Sequence, residues 1–170
     1  MILSDTSLDT LAQNGLVHPY NFLHVQPCSI DLTIGNKILV ESLDMNGDGW
    51  VEIDITKPYE LRPGQFILAT TAETLEMPNN ICGQIALRSS AARAGWDHCL
   101  SGWIDSGFEG QITLELRNNK QLSNLTIQSG MRLIQVICFQ LNKPSARSYA
   151  GSYQCQQGVQ PSNLNFSPIS

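Results

Sequence analysis

From residue 28 onward the chain is written in short β-competent runs, each closed by a turn signal. The runs are CSIDLTIGNKILV, WVEIDI, QFILATTAETLEM, ICGQIALR, GQITLELRN, LTIQSG and MRLIQVICFQL, all rich in Val, Ile, Leu and Thr. Between them stand NGDG, RPGQ, MPNN, FEGQ and QSGM, where Gly, Pro and Asn supply the backbone angles of tight turns. This rhythm favours an all-β barrel or sandwich over a βαβ fold. Only two stretches read as helix. In residues 4–14, Ser4, Asp5 or Ser7 serves as cap, Leu8 and Leu11 share one face, and Gly15 is the stop. In SSAARAGW, residues 89–96, Ser89 or Ser90 is the expected N-cap and Gly95 ends about one turn of helix.

The totals fit one domain with a core of its own, at 170 residues with 42% hydrophobic and 15% charged residues. A net charge of −5 provides no broad basic field to replace phosphate counterions, which argues against general nucleic-acid binding. A small anion remains open, because a few local arginines suffice for it. The N-terminal MILSDTSLDTLAQNG is acidic where a signal peptide would be basic and then apolar, and no apolar run reaches membrane-span length. A cytoplasmic protein with no membrane partner is expected. Five cysteines (28, 82, 99, 138 and 155) are odd in number and widely spaced, and several sit inside apolar runs (ICGQIAL, VICFQL), where a free Cys serves as a small core residue. With no CxxC and no paired histidines among His18, His24 and His98, a protein-held zinc is not expected.

Four segments carry candidate chemistry. DMNGDGWVEID, residues 44–54, imitates a calcium loop, but its twelfth position is Ile55 where a bidentate Glu is needed, so a hairpin turn is the better reading. In ALRSSAARAG, residues 86–95, a strand runs into Arg88, Ser89 and Ser90, and a one-turn helix then carries Arg93. Two guanidinium groups and two hydroxyls near free N–H groups would cradle a polyphosphate; an ordinary capped turn is the alternative. Asp105 lies in the Gly-flanked turn of LSGWIDSGFEG, where it either ties the turn to its own backbone or holds a ligand hydroxyl. Glu115 follows on the polar face of GQITLELRN with Gln111, Thr113 and Arg117, opposite Ile112, Leu114 and Leu116. The strand alone leaves it as a surface carboxylate, paired with Arg117, or as a group held for chemistry.

Taken in order, MILSD, VQPCSIDLTIG, LRPGQFILATTAETLEMP, RSSAARAG, SGWIDSGFEGQITLELRN, GMRLIQVICF and YQCQQGVQPS closely resemble the dCTP deaminases of the trimeric dUTPase superfamily, from Met1 to about Ser162. The Gly-Trp-Ile-Asp form is similar to bifunctional members, which deaminate dCTP and also cleave the product to dUMP and pyrophosphate. The resemblance implies a distorted β-barrel over residues 1–143 and a tail, 144–170, that closes over the active site. It implies a homotrimer with active sites between subunits, and Mg²⁺ bound through the substrate phosphates and not by the protein. Zinc deaminases activate water on a His/Cys-held metal; here a carboxylate must serve.

Carried over by position, Glu115 matches the catalytic glutamate, with Ser89 and Arg93 placing the water and polarising the base. Arg88 and Ser90 complete the phosphate-side turn. Asp105 would hold the deoxyribose 3′-hydroxyl, and Thr113 and Leu114 would border the nucleoside, Leu114 through its backbone. Gln135, Tyr149 and Gln156 match phosphate-contacting positions. The chain departs from the family pattern at Ser152, where relatives carry Lys before the tail tyrosine. It departs again in a segment between Arg93 and Asp105 that is one residue short. Leu100 and Ser101 there replace Thr and Ala beside the base pocket, which bears on the choice between cytosine and uracil and on feedback inhibition by dTTP. Two alternatives accompany the deaminase reading. One is a dUTPase-type pyrophosphatase without deaminase activity, suggested by Asp105 and the altered LSG segment. The other is a non-catalytic dNTP-binding trimer, suggested by the missing lysine.

Overall fold

The computed structural model describes residues 1–42, 49–99 and 102–163. An N-terminal helix α1 (Asp5–Leu11) widens into one looser turn (Ala12–Leu16), and Gly15, at φ 104°, ends it as expected. Leu8 is fully buried beneath it, whereas Leu11 is half-buried. Ser4 occupies the N-cap position, yet its side chain does not cap; its hydroxyl meets that of Thr6 instead.

Twelve strands follow in the described residues. They are β1 (Val17–His18), β2 (Val25–Gln26), β3 (Ser29–Glu41), β4 (Trp50–Asp54), β5 (Tyr59–Leu61), β6 (Phe66–Glu76) and β7 (Ile81–Leu87), and then β8 (Trp96–His98), β9 (Trp103–Ile104), β10 (Glu109–Asn118), β11 (Leu125–Ile127) and β12 (Arg132–Gln140). Every ladder between them is antiparallel. The main sheet runs β8-β10-β6-β3-β12-β7-β9 and curls into a half-barrel, with β1 on β6, and β2 and β4 on β3; β5 and β11 form a separate pair. The seven apolar runs of the sequence each become a strand, which confirms the mainly β, barrel-like fold. The five strands that the sequence reading leaves out, β1, β2, β5, β8 and β9, have two or three residues each, too short for an alternation to register.

β3 organises the sheet. Its first half pairs with β12 and its second half with β6 and β4; consecutive residues along most of it are buried, so both faces are covered and it reads as a near-continuous apolar run. Its fully buried Leu32, Ile34 and Ile38 share one core with Leu8, Ile67, Leu75, Leu114, Leu116, Ile134 and Val136. Each such side chain contributes about 1.5–3 kcal/mol relative to exposure. Buried Glu73 on β6 accepts from the backbone N–H (2.9 Å) and the hydroxyl (2.8 Å) of Thr33, tying the two strands beside a shift in their register. Cys82 and Cys138 are buried as the apolar runs require, and desolvation pushes the Cys138 thiol up to about 12.

Helix α2 (Ser89–Ala94) begins one residue earlier in its capping scheme than the sequence suggests. The N-cap is Arg88, not Ser89 or Ser90, and no side chain caps it. The reason lies in the sheet: Arg88 N–H still donates to the Leu133 carbonyl at 2.9 Å, which keeps its ψ extended at 145° until the chain leaves the ladder. Gly95, at φ 102°, ends the helix as read. At the calcium-like segment, Glu41 pairs with Trp50 and Ser42 N–H donates to Gly49 at 2.8 Å, as a hairpin requires; residues 43–48 of the turn lie outside the described residues. No helix among the described residues is long and apolar enough to cross a membrane.

Candidate active site

β10 presents two faces, as its alternation foretells. Leu114 and Leu116 are fully buried, and Thr113 and Glu115 are half-buried on the other side. There they line a cavity of about 540 Å³ with Asp105, Phe108, Tyr149 and Gln156. Ile112, expected on the core face with Leu114, packs against the core but also lines this cavity, at the place where the β10·β6 register shifts between Gln111 and Thr113. Aromatic and apolar side chains also line it: Leu68, directly across the ladder from Glu115, with Phe66, Trp50 and Trp103.

Glu115 does not pair with Arg117, whose Nε reaches the Gly64 carbonyl at 3.2 Å. Its neighbour is His98 on β8, whose Nε2 stands 3.7 Å from Glu115 Oε2, beyond hydrogen-bond range. The His98 side chain is 6% exposed and that of Glu115 25%. Burial holds the imidazole below its ordinary value of 6.5, against a smaller opposite pull from Asp97. At neutral pH the ring is therefore uncharged, and the contact is a dipole beside a carboxylate and no ion pair.

The sign of His98's contribution to stability follows. Its folded pKa lies below the unfolded value of 6.5, so as pH falls through about 6.5 the unfolded chain takes up the proton first. Stability is complete above that pH and declines below it. Urea unfolding at pH 7.5 and 5.5 should show the midpoint falling toward acid, and His98→Gln should flatten part of that fall; an equal slope in the variant would show that other groups cause it.

The tail supplies one wall. Along β10, β8 covers only Leu116 to Asn118. The edge it leaves free is taken by the tail, with Gln111 N–H donating to Gln156 O (3.0 Å), Cys155 N–H to Glu109 O (2.8 Å) and Gln160 N–H to Thr113 Oγ1 (3.2 Å). Gly110 and Gln156 form a parallel bridge. Tyr149 N–H donates to Ser106 O at 2.9 Å, and its ring meets Phe108 edge-on with centroids 5.7 Å apart. The composition leaves a frayed terminus open; here Cys155, Gln156 and Gln160 are hydrogen-bonded to β10, and Tyr149, Tyr153 and Gln156 are among the cavity lining.

The remaining candidates gather elsewhere. Arg88, Ser89, Ser90, Arg93 and Gln135 are not in the cavity wall. Arg88 Nε lies 3.1 Å from Asp31 Oδ2 and Arg132 Nη1 3.6 Å from the same oxygen, with Asp31 only 1% exposed. Gln135 accepts from Ser29 Oγ at 2.7 Å and donates to the Leu87 carbonyl at 3.1 Å. A buried carboxylate thus anchors one guanidinium at the strand end from which α2 departs. Leu114 is fully buried in the core and is not part of the cavity lining. Leu100 and Ser101 lie outside the described residues. Sequence reasoning missed His98, Trp103 and Asp31 as contributors. His98 and Trp103 sit on strands of three and two residues, and Asp31 alternates within an apolar run where only tertiary pairing reveals its cationic partners.

One chain therefore carries two half-constellations: a carboxylate cavity walled by its tail, and a separate arginine–serine turn. A family model described as dCTP deaminase-like matches residues 2–141. The chain is 37% identical to the dUMP-forming dCTP deaminase of Aquifex aeolicus across 98% of its own length and 96% of that protein. It is 35% identical to the dUMP-forming dCTP deaminase of Thermobifida fusca, across 98% and 95% respectively. Among solved structures, the 2′-deoxycytidine 5′-triphosphate deaminase of Agrobacterium tumefaciens shares the fold, with a TM-score of 0.68 at 22% identity over 81% of this chain and 47% of that longer one. Motifs, fold and near full-length relatives agree, and the chain belongs to the dCTP deaminase-like family.

Proposed function

We propose that this protein deaminates dCTP hydrolytically, in sites completed between copies of a homotrimer, and carries the product on to dUMP and pyrophosphate. The observation that carries the reading is the separation of Glu115, in a cavity with Asp105, Thr113, Tyr149 and Gln156, from the arginine–serine turn of α2. A reaction that needs both must bring the turn of one copy to the cavity of another. The dUMP product is suggested by the relatives, which are dUMP-forming dCTP deaminases.

Water attacks C4 of the cytosine while Glu115 takes its proton. Glu115 returns that proton to the amino group, the C4–N bond breaks, and ammonia leaves, while the remaining hydroxyl proton passes to N3 as the C4 carbonyl forms; dCTP and water become dUTP and ammonia. One carboxylate serves as base and then as acid because the proton it gains is the one it delivers. Ser89 and Arg93 from the neighbouring copy hold the water and the developing charge. Asp105 accepts the 3′-hydroxyl, and Thr113 and the Leu114 backbone flank the nucleoside. Arg88, Ser90, Gln135, Tyr149 and Gln156 receive the triphosphate, with the tail as lid. A second water then cleaves dUTP to dUMP and pyrophosphate.

The described residues hold no group of three His, Cys, Asp or Glu side chains close enough to cage an ion. Mg²⁺ would enter as part of the substrate, on the triphosphate. dTTP offers the same triphosphate and sugar and would compete for the same cavity. The reaction places the protein with the cytoplasmic deoxynucleotide pool.

Chromatography of products from dCTP and dUTP with Mg²⁺ tests the chemistry: ammonia and dUMP are expected from dCTP, and dUMP without ammonia release from dCTP would select a plain pyrophosphatase acting on dUTP alone. Subunit mixing tests the assembly. Glu115→Gln and Arg93→Ala should each be inactive, and unfolding and refolding them together in equal amounts should restore about a quarter of wild-type activity, since each site draws one group from each of two chains. No recovery would place both groups in one chain.

A further inference from the structure

Trp103 is 61% exposed, an uncommon position for the largest side chain. Its placement is nonetheless well defined. The backbone of β9 is pinned to β7, with Ile104 opposite Gly83, Trp103 opposite Gln84, and Ile85 N–H donating to Gly102 O at 2.6 Å. The indole stacks on Phe139 of β12, with centroids 6.1 Å apart and planes 28° from parallel. It lines the cavity, and its only donor, Nε1–H, is given to Asp105 Oδ1 at 3.1 Å.

We propose that Trp103 is the positioning residue for sugar recognition, holding the Asp105 carboxylate so that its remaining lone pairs accept the 3′-hydroxyl of the substrate. The inference rests on the reading of Asp105 given above. Asp105 sits in a turn where an aspartate readily swings onto nearby backbone N–H groups. Stacking on Phe139 removes the freedom of the indole, and the indole N–H then fixes one carboxylate oxygen. A carboxylate accepts up to about four hydrogen bonds, so one bond from Trp103 orients the group without saturating it. Preorganisation of this kind acts on substrates that carry the hydroxyl and is silent for those that lack it.

The test compares dCTP with its 2′,3′-dideoxy analogue in the wild type and in Trp103→Phe, which keeps a stacking ring and loses the N–H. The wild type should favour dCTP in kcat/KM by about 10- to 100-fold, the range for a hydrogen bond to a charged group. Trp103→Phe should narrow that preference by about three- to tenfold through a higher KM for dCTP, with kcat and the dideoxy reaction little changed. Trp103→His, which retains a ring N–H, should keep more of the preference than Trp103→Phe. Calorimetric binding of the non-hydrolysable α,β-imido analogues of dUTP and of its 3′-deoxy form gives the same ratio without turnover. An equal loss for both substrates in Trp103→Phe, or an unchanged ratio, overturns the role of Trp103 while leaving Asp105 as the sugar contact. A wild type that does not discriminate overturns the Asp105 reading, and the role of Trp103 with it.

Discussion

Glu115→Gln should lower ammonia release from dCTP by about 10²–10⁴-fold, the span over which a positioned acid–base group accelerates proton transfer. The amide matches the carboxylate in size, and at 25% side-chain exposure beside His98 it can be accommodated without moving β10. What it cannot do is take a proton from water. Substrate affinity should therefore be kept and only turnover lost, with kcat falling and the dissociation constant for dCTP staying within a few-fold. Cleavage of supplied dUTP reads the second step separately. A variant that still deaminates at the wild-type rate would remove Glu115 from the chemistry and, with it, the reading of the cavity as a deaminase site.

Gly110→Ala should have the second largest effect, through the tail. Gly110 has φ 139°, which L side chains rarely adopt, and an added Cβ would lie 2.9 Å from both the backbone N and O of Gln156. Those are backbone atoms and cannot turn aside as a flexible side chain can. Strain of this kind costs about 1–3 kcal/mol, and it falls on the docking of the tail, which at this point is held by Gln111 N–H to Gln156 O and the adjacent bonds. The tail carries Tyr149 and Gln156, so its release should raise KM for dCTP and lower kcat/KM by about 10- to 100-fold while the sheet stays folded. Limited trypsin digestion supplies the independent reading: cleavage after exposed Arg147 should quicken in the variant and at no other site. Unchanged cleavage and kinetics would mean that the tail wall is dispensable.

The two variants report different levels of organisation, and they differ in how visible they were in the amino-acid order. Glu115 stands on an alternation that any reader of GQITLELRN sees, and the alternation correctly assigns Leu114 and Leu116 to the core. The alternation could not say that the opposite face looks into a cavity, because that depends on Asp105, Tyr149 and Gln156 returning from other parts of the chain. Gly110 looks like one more turn glycine; its constraint is the approach of a segment more than forty positions later, seen in the Gly110 to Gln156 bridge. Helix α2 shows the reverse case: the serines are good caps by type, yet Arg88 takes the cap because the β12 ladder still holds its N–H.

The sequence by itself determined what is periodic or chemical in nature. It set the mainly β class, the seven apolar runs that become strands, the glycine stops at Gly15 and Gly95, and the inventory of carboxylates, guanidinium groups and hydroxyls. These depend on near neighbours, whose preferences are written locally. Only the tertiary structure decided which of those groups meet. It set His98 beside Glu115, gave the Trp103 N–H to Asp105, buried Asp31 against Arg88, laid the tail along the open edge of β10, and kept the α2 turn out of the cavity wall. Those outcomes are contacts between residues distant in sequence, and they arise from the curl of the sheet and the pairing of its edges, which no local pattern encodes.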